Sequence, residues 1–247
     1  MTAVLTRTRT APPSTARIAL ARVGLELRLF SRERQQVVFS FAYPVVMLVI
    51  FSSVLGGDVM PGRVSFPQYF LAGIAATGIM LSSFQALGTS IATEREVGQL
   101  ERLQLLGTPP VAYFAGKAGQ VLATTAAQLA ILLPVARYAY DVPLPVDLAH
   151  WVTFGWVAVL SALAGTVLGI AVSALPGTAK GTVTAVSAFA IVLQFFSGVF
   201  FALPEQARVG ELAGTWEHGR IALVLAAWVI IGAMVCVRTF RWRRVEG

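Results

Sequence analysis

Residues 148–179 read LAHWVTFGWVAVLSALAGTVLGIAVSALPGTA, without one Asp, Glu, Lys or Arg. A helix needs roughly 20 apolar residues, with about 17–25 tolerated, to cross the hydrocarbon core of a bilayer. Five further uncharged runs meet that length: Gln35–Gly57, Val64–Thr93, Ala118–Ala136, Gly181–Pro204 and Ile221–Val237. The run Leu103–Gly116 is too short and is broken by Gly107, Pro109 and Pro110. The pattern predicts an all-α membrane protein with six transmembrane helices, near residues 36–56, 67–92, 112–136, 149–174, 181–202 and 220–239. Composition points the same way. The chain is 56% hydrophobic and 13% charged, with a mean hydropathy of +0.73, whereas soluble domains carry about 25% charged residues.

Positive charge sets the orientation. With the N-terminus in the cytoplasm, 15 of the 19 Lys and Arg fall on the inner side, leaving Arg63, Arg137, Arg208 and Arg220 outside. Inner loops carry the excess of Lys and Arg, so both termini are expected inside, in a multi-pass protein of the cytoplasmic membrane. The pI near 10.3 does not point to nucleic acid. Its excess flanks the spans at Arg28, Arg32, Arg34, Arg238, Arg241, Arg243 and Arg244, where it meets anionic headgroups. Cys236 has no second cysteine to pair with, which excludes an intrachain disulfide and any multi-Cys metal site.

Residues 1–13 lack the apolar core of a signal peptide and are expected to form a disordered cytoplasmic tail. The remainder, 14–247, reads as a single transmembrane domain. Ser14 or Thr15 can cap a helix running to about Arg34. Leu20, Val23, Leu27 and Phe30 form one stripe and Arg17, Arg28 and Arg32 another face. This amphipathic helix, 14–34, suits the membrane interface, either as a basic anchor or also as a surface for a partner protein. Ser161, Gly165, Gly169 and Ser173 recur every four residues in the fourth span. Small residues on one face allow close helix approach, in the same subunit or between subunits.

The spans contain no Asp, Glu, Lys or Arg well inside, and His150 and His218 fall at the outer edge. Ion-coupled carriers usually need ionisable groups within the membrane, so coupling to a proton gradient is disfavoured. Ala115-Gly116-Lys117-Ala118 is a decoy for a phosphate-binding loop. Val111 replaces the first glycine, and Ala118 the hydroxyl residue after the lysine. No catalytic residue, metal site or cofactor is expected, and the chain is not read as an enzyme.

Charge between spans concentrates in ATEREVGQLERLQLLGTPPVAYFAGK, residues 92–117. Thr93 and Glu96 have capping-box spacing. A short helix with Val97, Leu100 and Leu103 on one side is expected to follow, with Gly107 as a left-handed stop and Pro109 and Pro110 preventing continuation. Glu94, Arg95, Glu96, Glu101 and Arg102 are expected on its exposed faces. A solvated loop is the plain alternative.

This segment resembles the signature of ABC-2-type transporter permeases. Glu94, Arg95, Glu96 and Gly98 match the family's Glu-Arg-Glu-x-Gly run, and Thr108, Pro109, Gly116 and Lys117 its tail. FFSGVFFALP, residues 195–204, is similar to the family's Ser-Gly-x-x-Phe stretch. The N-terminal helix is similar to its connecting helix, and TFRWRR to its exit from the sixth span. The resemblance implies a coupling helix that docks on a separate ATP-binding cassette ATPase subunit through Glu94, Arg95, Glu96, Gly98, Leu100, Glu101, Arg102, Thr108, Pro109 and Lys117. It also implies a second permease subunit, identical or related, enclosing a pathway through the bilayer. Phe84, Gln85, Gln194, Phe195, Phe196, Phe200 and Phe201 are the candidate pathway lining, suited to a hydrophobic or amphipathic substrate such as a drug-like compound or lipid. The segment Ala202–Gly219 is shorter than the family's outer region, and Ala202 stands where a Pro is usual. This fits a compact external gate or a shortened copy. An exporter permease is the leading expectation. The alternatives are an ion-coupled or uniport carrier and a non-transporting regulatory membrane subunit.

Overall fold

The computed structural model describes residues 14–57, 59–60, 64–173, 178–196 and 218–239. The expected tail 1–13, Phe200, Phe201, residues 202–217 and Arg241–Arg244 lie outside them, as do the side chains of Phe195 and Phe196.

The described residues form helices joined by short connections, with one short hairpin. Helix α1 spans Thr15–Arg32, α2 Arg34–Leu55, α3 Phe66–Met80, α4 Leu87–Glu96, α5 Gln99–Leu105, α6 Pro110–Tyr140, α7 Leu148–Ser173, α8 Ala179–Phe196 and α9 His218–Thr239. Two-residue strands β1, Val59–Met60, and β2, Val64–Ser65, pair antiparallel between α2 and α3. A π-helical segment, Leu81–Ala86, joins α3 to α4, making one continuous 31-residue helix, Phe66–Glu96. Four helices are long and apolar enough to cross a membrane: Arg34–Leu55, Phe66–Glu96, Pro110–Tyr140 and Leu148–Ser173. The other two expected spans fall on α8 and α9, which carry shorter apolar stretches, Ala179–Val192 and Ile221–Met234.

Local chemistry explains the boundaries. The Ser14 hydroxyl accepts from the Arg17 amide, capping α1. Pro110 opens α6 at its first position, where its missing N–H costs nothing. Gly107 has φ +71, with its amide donating to Gln104 and the Thr108 amide to Leu103. Gly107 is thus the left-handed stop expected for α5, and its bonds make it a Schellman motif.

The core lies where Phe66–Glu96, α6 and α7 meet. Phe70 stacks on Phe66 and Phe51 at 5.5 and 5.1 Å, beside fully buried Leu48, Ile74 and Leu132. On the outward faces of α2, α8 and α9, Val54, Val192, Leu223, Trp228 and Ile230 are exposed. Apolar residues turned outward are what a lipid solvent allows, and water would penalise.

The four-residue repeat on α7 meets the π-helical segment. A Cβ on Gly165 would fall 2.0 Å from the Ser83 Oγ, and one on Gly169 2.8 Å from the Phe84 carbonyl oxygen. A Cβ on Gly88 would lie 3.1 Å from the Gly169 carbonyl oxygen. Ser173, at the end of the stripe, is fully buried, and Ser161 half-buried. The Ser83 hydroxyl donates back to the Ile79 carbonyl at 2.6 Å, one of the ways a side chain takes part where the regular helical ladder is interrupted.

Candidate functional site

The long helices extend past the uncharged runs, and this changes the environment of the charged segment. A 31-residue helix is about 46 Å long, against a hydrocarbon core of about 30 Å. The surplus turns of Phe66–Glu96 and of α6 carry Glu94, Arg95, Glu96, Tyr113 and Lys117. These residues therefore lie on packed helices at one end of the bundle, not on a loop.

Thr93 is not an N-cap. It sits inside α4, where its hydroxyl donates to the Thr89 carbonyl at 3.0 Å, and the helix continues through Glu96. The expected capping box fails because the preceding turns are already helical, so Thr93 has no unsatisfied amides to serve. The break comes instead at Gly98, which adopts φ +71 between α4 and α5. Only glycine takes that backbone conformation at little cost.

Glu94 faces inward. Its carboxylate accepts from the Tyr113 hydroxyl at 2.7 Å and forms an ion pair with Lys117. Lys117, 1% exposed, also donates to Glu26 at 2.8 Å and to Ser90 at 3.2 Å. Glu26, 3% exposed, pairs in turn with Arg22 at 2.7 Å. The Arg22 guanidinium lies 5.3 Å from the centre of the Tyr113 ring. Two cations and two carboxylates thus balance within a buried cluster linking α1, α4 and α6. Ion pairing is what offsets the cost of burying these charges, although the Arg22 Nε is left without a hydrogen-bond partner among the described residues.

Arg95 and Glu96 reach two other helices. The Arg95 guanidinium donates to the Ser173 carbonyl at 2.6 Å, at the C-terminal end of α7. The Glu96 carboxylate accepts from the Ala179 amide at 3.2 Å, at the N-terminal start of α8. Each charge meets the helix end whose dipole it complements. Three consecutive residues therefore hold α6, α7 and α8.

The α5 helix hangs from this clamp. Leu100 is fully buried and Leu103 packs on the core, which anchors one face. Leu105 and Leu106 project outward, 88% and 79% exposed, with Val97 and Val111 nearby in sequence and also exposed. Glu101 and Arg102 are exposed, while Thr108 and Pro109 are half-buried at the turn into α6.

A cavity of about 930 Å³ opens between α1, α2, the second long helix, α6 and α8. Gln85 and Gln194 line it, and Gln85 donates to Ser187 at 3.0 Å. Phe84 does not line it. That side chain is buried, its ring centre 5.6 Å from that of Phe189.

Arg22, Glu26, Tyr113, Leu105 and Leu106 escaped the sequence reading. The first two were legible as an i, i+4 pair of opposite charge beside the apolar stripe of α1. In the structure they are the buried residues of that helix, whereas Leu20 is 73% exposed. Gly116 and Gly119 explain the docking, since Cβ atoms there would fall 2.3 Å from Arg22 and 2.5 Å from Val23. No curated protein and no solved structure matches the chain. Residues 19–209 match the family of ABC-2 type transporters, and with that match covering most of its length the chain belongs to this family of integral membrane transporter components.

Proposed function

We propose that this chain is the permease subunit of an ATP-driven exporter, moving a hydrophobic or amphipathic substrate out across the cytoplasmic membrane. The observation that carries the reading is the division of labour in Glu94-Arg95-Glu96, whose side chains hold α6, α7 and α8. A push on α5 would reach three membrane helices through adjacent residues. Rigid elements joined by such bonds can transmit a two-state change. No nucleotide-binding motif is present in the sequence, so ATP hydrolysis is assigned to a separate subunit. Leu105 and Leu106 of α5 form the apolar tip that docks on that subunit, with Glu101 and Arg102 close by in sequence. Six spans, both termini inside and a second permease subunit against the exposed apolar faces complete the proposal.

Replacing Leu105 and Leu106 by Glu tests the docking surface, because both are exposed and neither holds the fold together. The double variant is expected to keep its thermal stability in detergent and to lose the ATPase subunit on co-purification. Arg95→Ala is expected to keep the complex while lowering transport per ATP hydrolysed by about tenfold, within the usual range of coupling energies. Full binding by the first variant together with full coupling in the second would sink the reading.

A further inference from the structure

The cavity is walled mostly by apolar surface but also carries charged side chains, and its chemistry discriminates by charge. Its volume, about 930 Å³, falls in the range of drug-sized ligand sites. Among its described lining residues the charged ones are Glu26, Glu33, Glu94 and Lys117. An ammonium has three donors, and Lys117 gives its three to Glu26, Glu94 and Ser90. It has none left for an incoming anion. Glu33, by contrast, is exposed at the junction of α1 and α2. Further along α2, about 9 and 15 Å by helical rise, Phe39 and Tyr43 line the same cavity as a parallel ring pair, 6.3 Å apart at 10°. A carboxylate and π faces together favour a cation.

A second feature lies further along α6. Gln128 is 4% exposed and lines the cavity, and its Nε2 has no hydrogen-bond partner. The amide occupies the space above Gly78, where a Cβ would fall 1.7 Å from Nε2. A buried donor without a partner is costly, and rotation of the amide away from Gly78 into the cavity would let an acceptor on a bound molecule satisfy it. Eleven residues of helix separate Lys117 from Gln128, about 16 Å. The ligand this describes is elongated, cationic at the α1–α2 end, apolar in the middle, and carries a carbonyl or ether oxygen at the far end.

We propose that the cavity binds cationic amphiphiles and excludes anionic ones of the same size. This rests on the exporter reading for its biological meaning. Binding itself requires neither nucleotide nor an ATPase subunit, so the two can fail separately.

The test is fluorescence anisotropy on the full chain in neutral-lipid nanodiscs, corrected with protein-free discs. Rhodamine 123, a xanthene cation with an ester, is compared with fluorescein, an anion on the same ring system. Rhodamine 123 is expected to bind at least about tenfold more tightly, a difference of 1.4 kcal/mol. Ser40→Trp, which fills the cavity, should abolish this binding, and Glu33→Gln and Gln128→Leu should each weaken it several-fold. Glu33 is exposed, so loss of binding in its variant cannot be ascribed to misfolding. Equal affinity for the two dyes would overturn the proposal. So would unchanged rhodamine binding in the Ser40→Trp variant, or in both of the others.

Discussion

Lys117 shows how one residue can be read correctly in sequence and still be misplaced. It matches the family's Gly-Lys, yet its ammonium is turned into the bundle against Glu26, Glu94 and Ser90. Removing one partner of a buried ion pair strands the others, at a cost of about 3–5 kcal/mol. Lys117→Met is therefore expected to lower thermal stability in detergent strongly, whereas Arg102→Met, at an exposed position of α5, should barely change it. Glu94→Gln combined with Lys117→Met should cost less than the sum of the singles, with a coupling energy of about 0.5–3 kcal/mol. Strict additivity in that cycle would mean the two side chains do not act together. Glu26 could have been inferred only from its spacing to Arg22, because nothing in the sequence ties position 26 to position 117.

Among the elements, the crossing of α7 with the π-helical segment has the least room. Gly165 and Gly169 let the backbones approach, and any Cβ at Gly169 would meet the carbonyl oxygens of Ser83 and Phe84 at 3.1 and 2.8 Å. Backbone cannot move aside as a flexible side chain can. Gly169→Val is expected to destabilise by about 1–3 kcal/mol, the usual cost of overpacking. Gly155→Val, on the same helix with open space around it, is the control and should be near neutral. If both variants unfold at the same temperature, the close approach is absent in the membrane. The stripe of small residues was legible from its four-residue period, but its partner was not. A helical face states that something packs closely there, and only the tertiary arrangement says what.

For the molecule as a whole, the proposed orientation makes opposite ends chemically distinguishable. Val146 is 97% exposed in the connection between α6 and α7, and Glu101 is exposed on α5. With Cys236 replaced by Ser, a cysteine at 146 is expected to react with a membrane-impermeant maleimide added to intact cells. A cysteine at 101 should react only after the membrane is opened. The reverse pattern would invert the topology. Length and charge also act together at this scale. Helices longer than the hydrocarbon core can keep a neutral, hydrogen-bonded charge cluster at the boundary, where water and headgroups reduce the penalty.

Hydropathy alone determined that this chain lives in a bilayer, because six uncharged runs long enough to cross it and only 13% charged residues do not fit a soluble fold. Local rules also made the α5 stop at Gly107 legible, since a left-handed turn before two prolines leaves the backbone little choice. The capping box at Thr93 was wrong for a related reason: the spacing was right, but long-range packing extended the preceding helix through it. Tertiary structure decided where the charges of Glu94-Arg95-Glu96 point. Ion pairs and helix-end hydrogen bonds depend on which helices converge within about 3 Å, and that convergence is set by packing across the bundle, which neighbours in sequence do not encode.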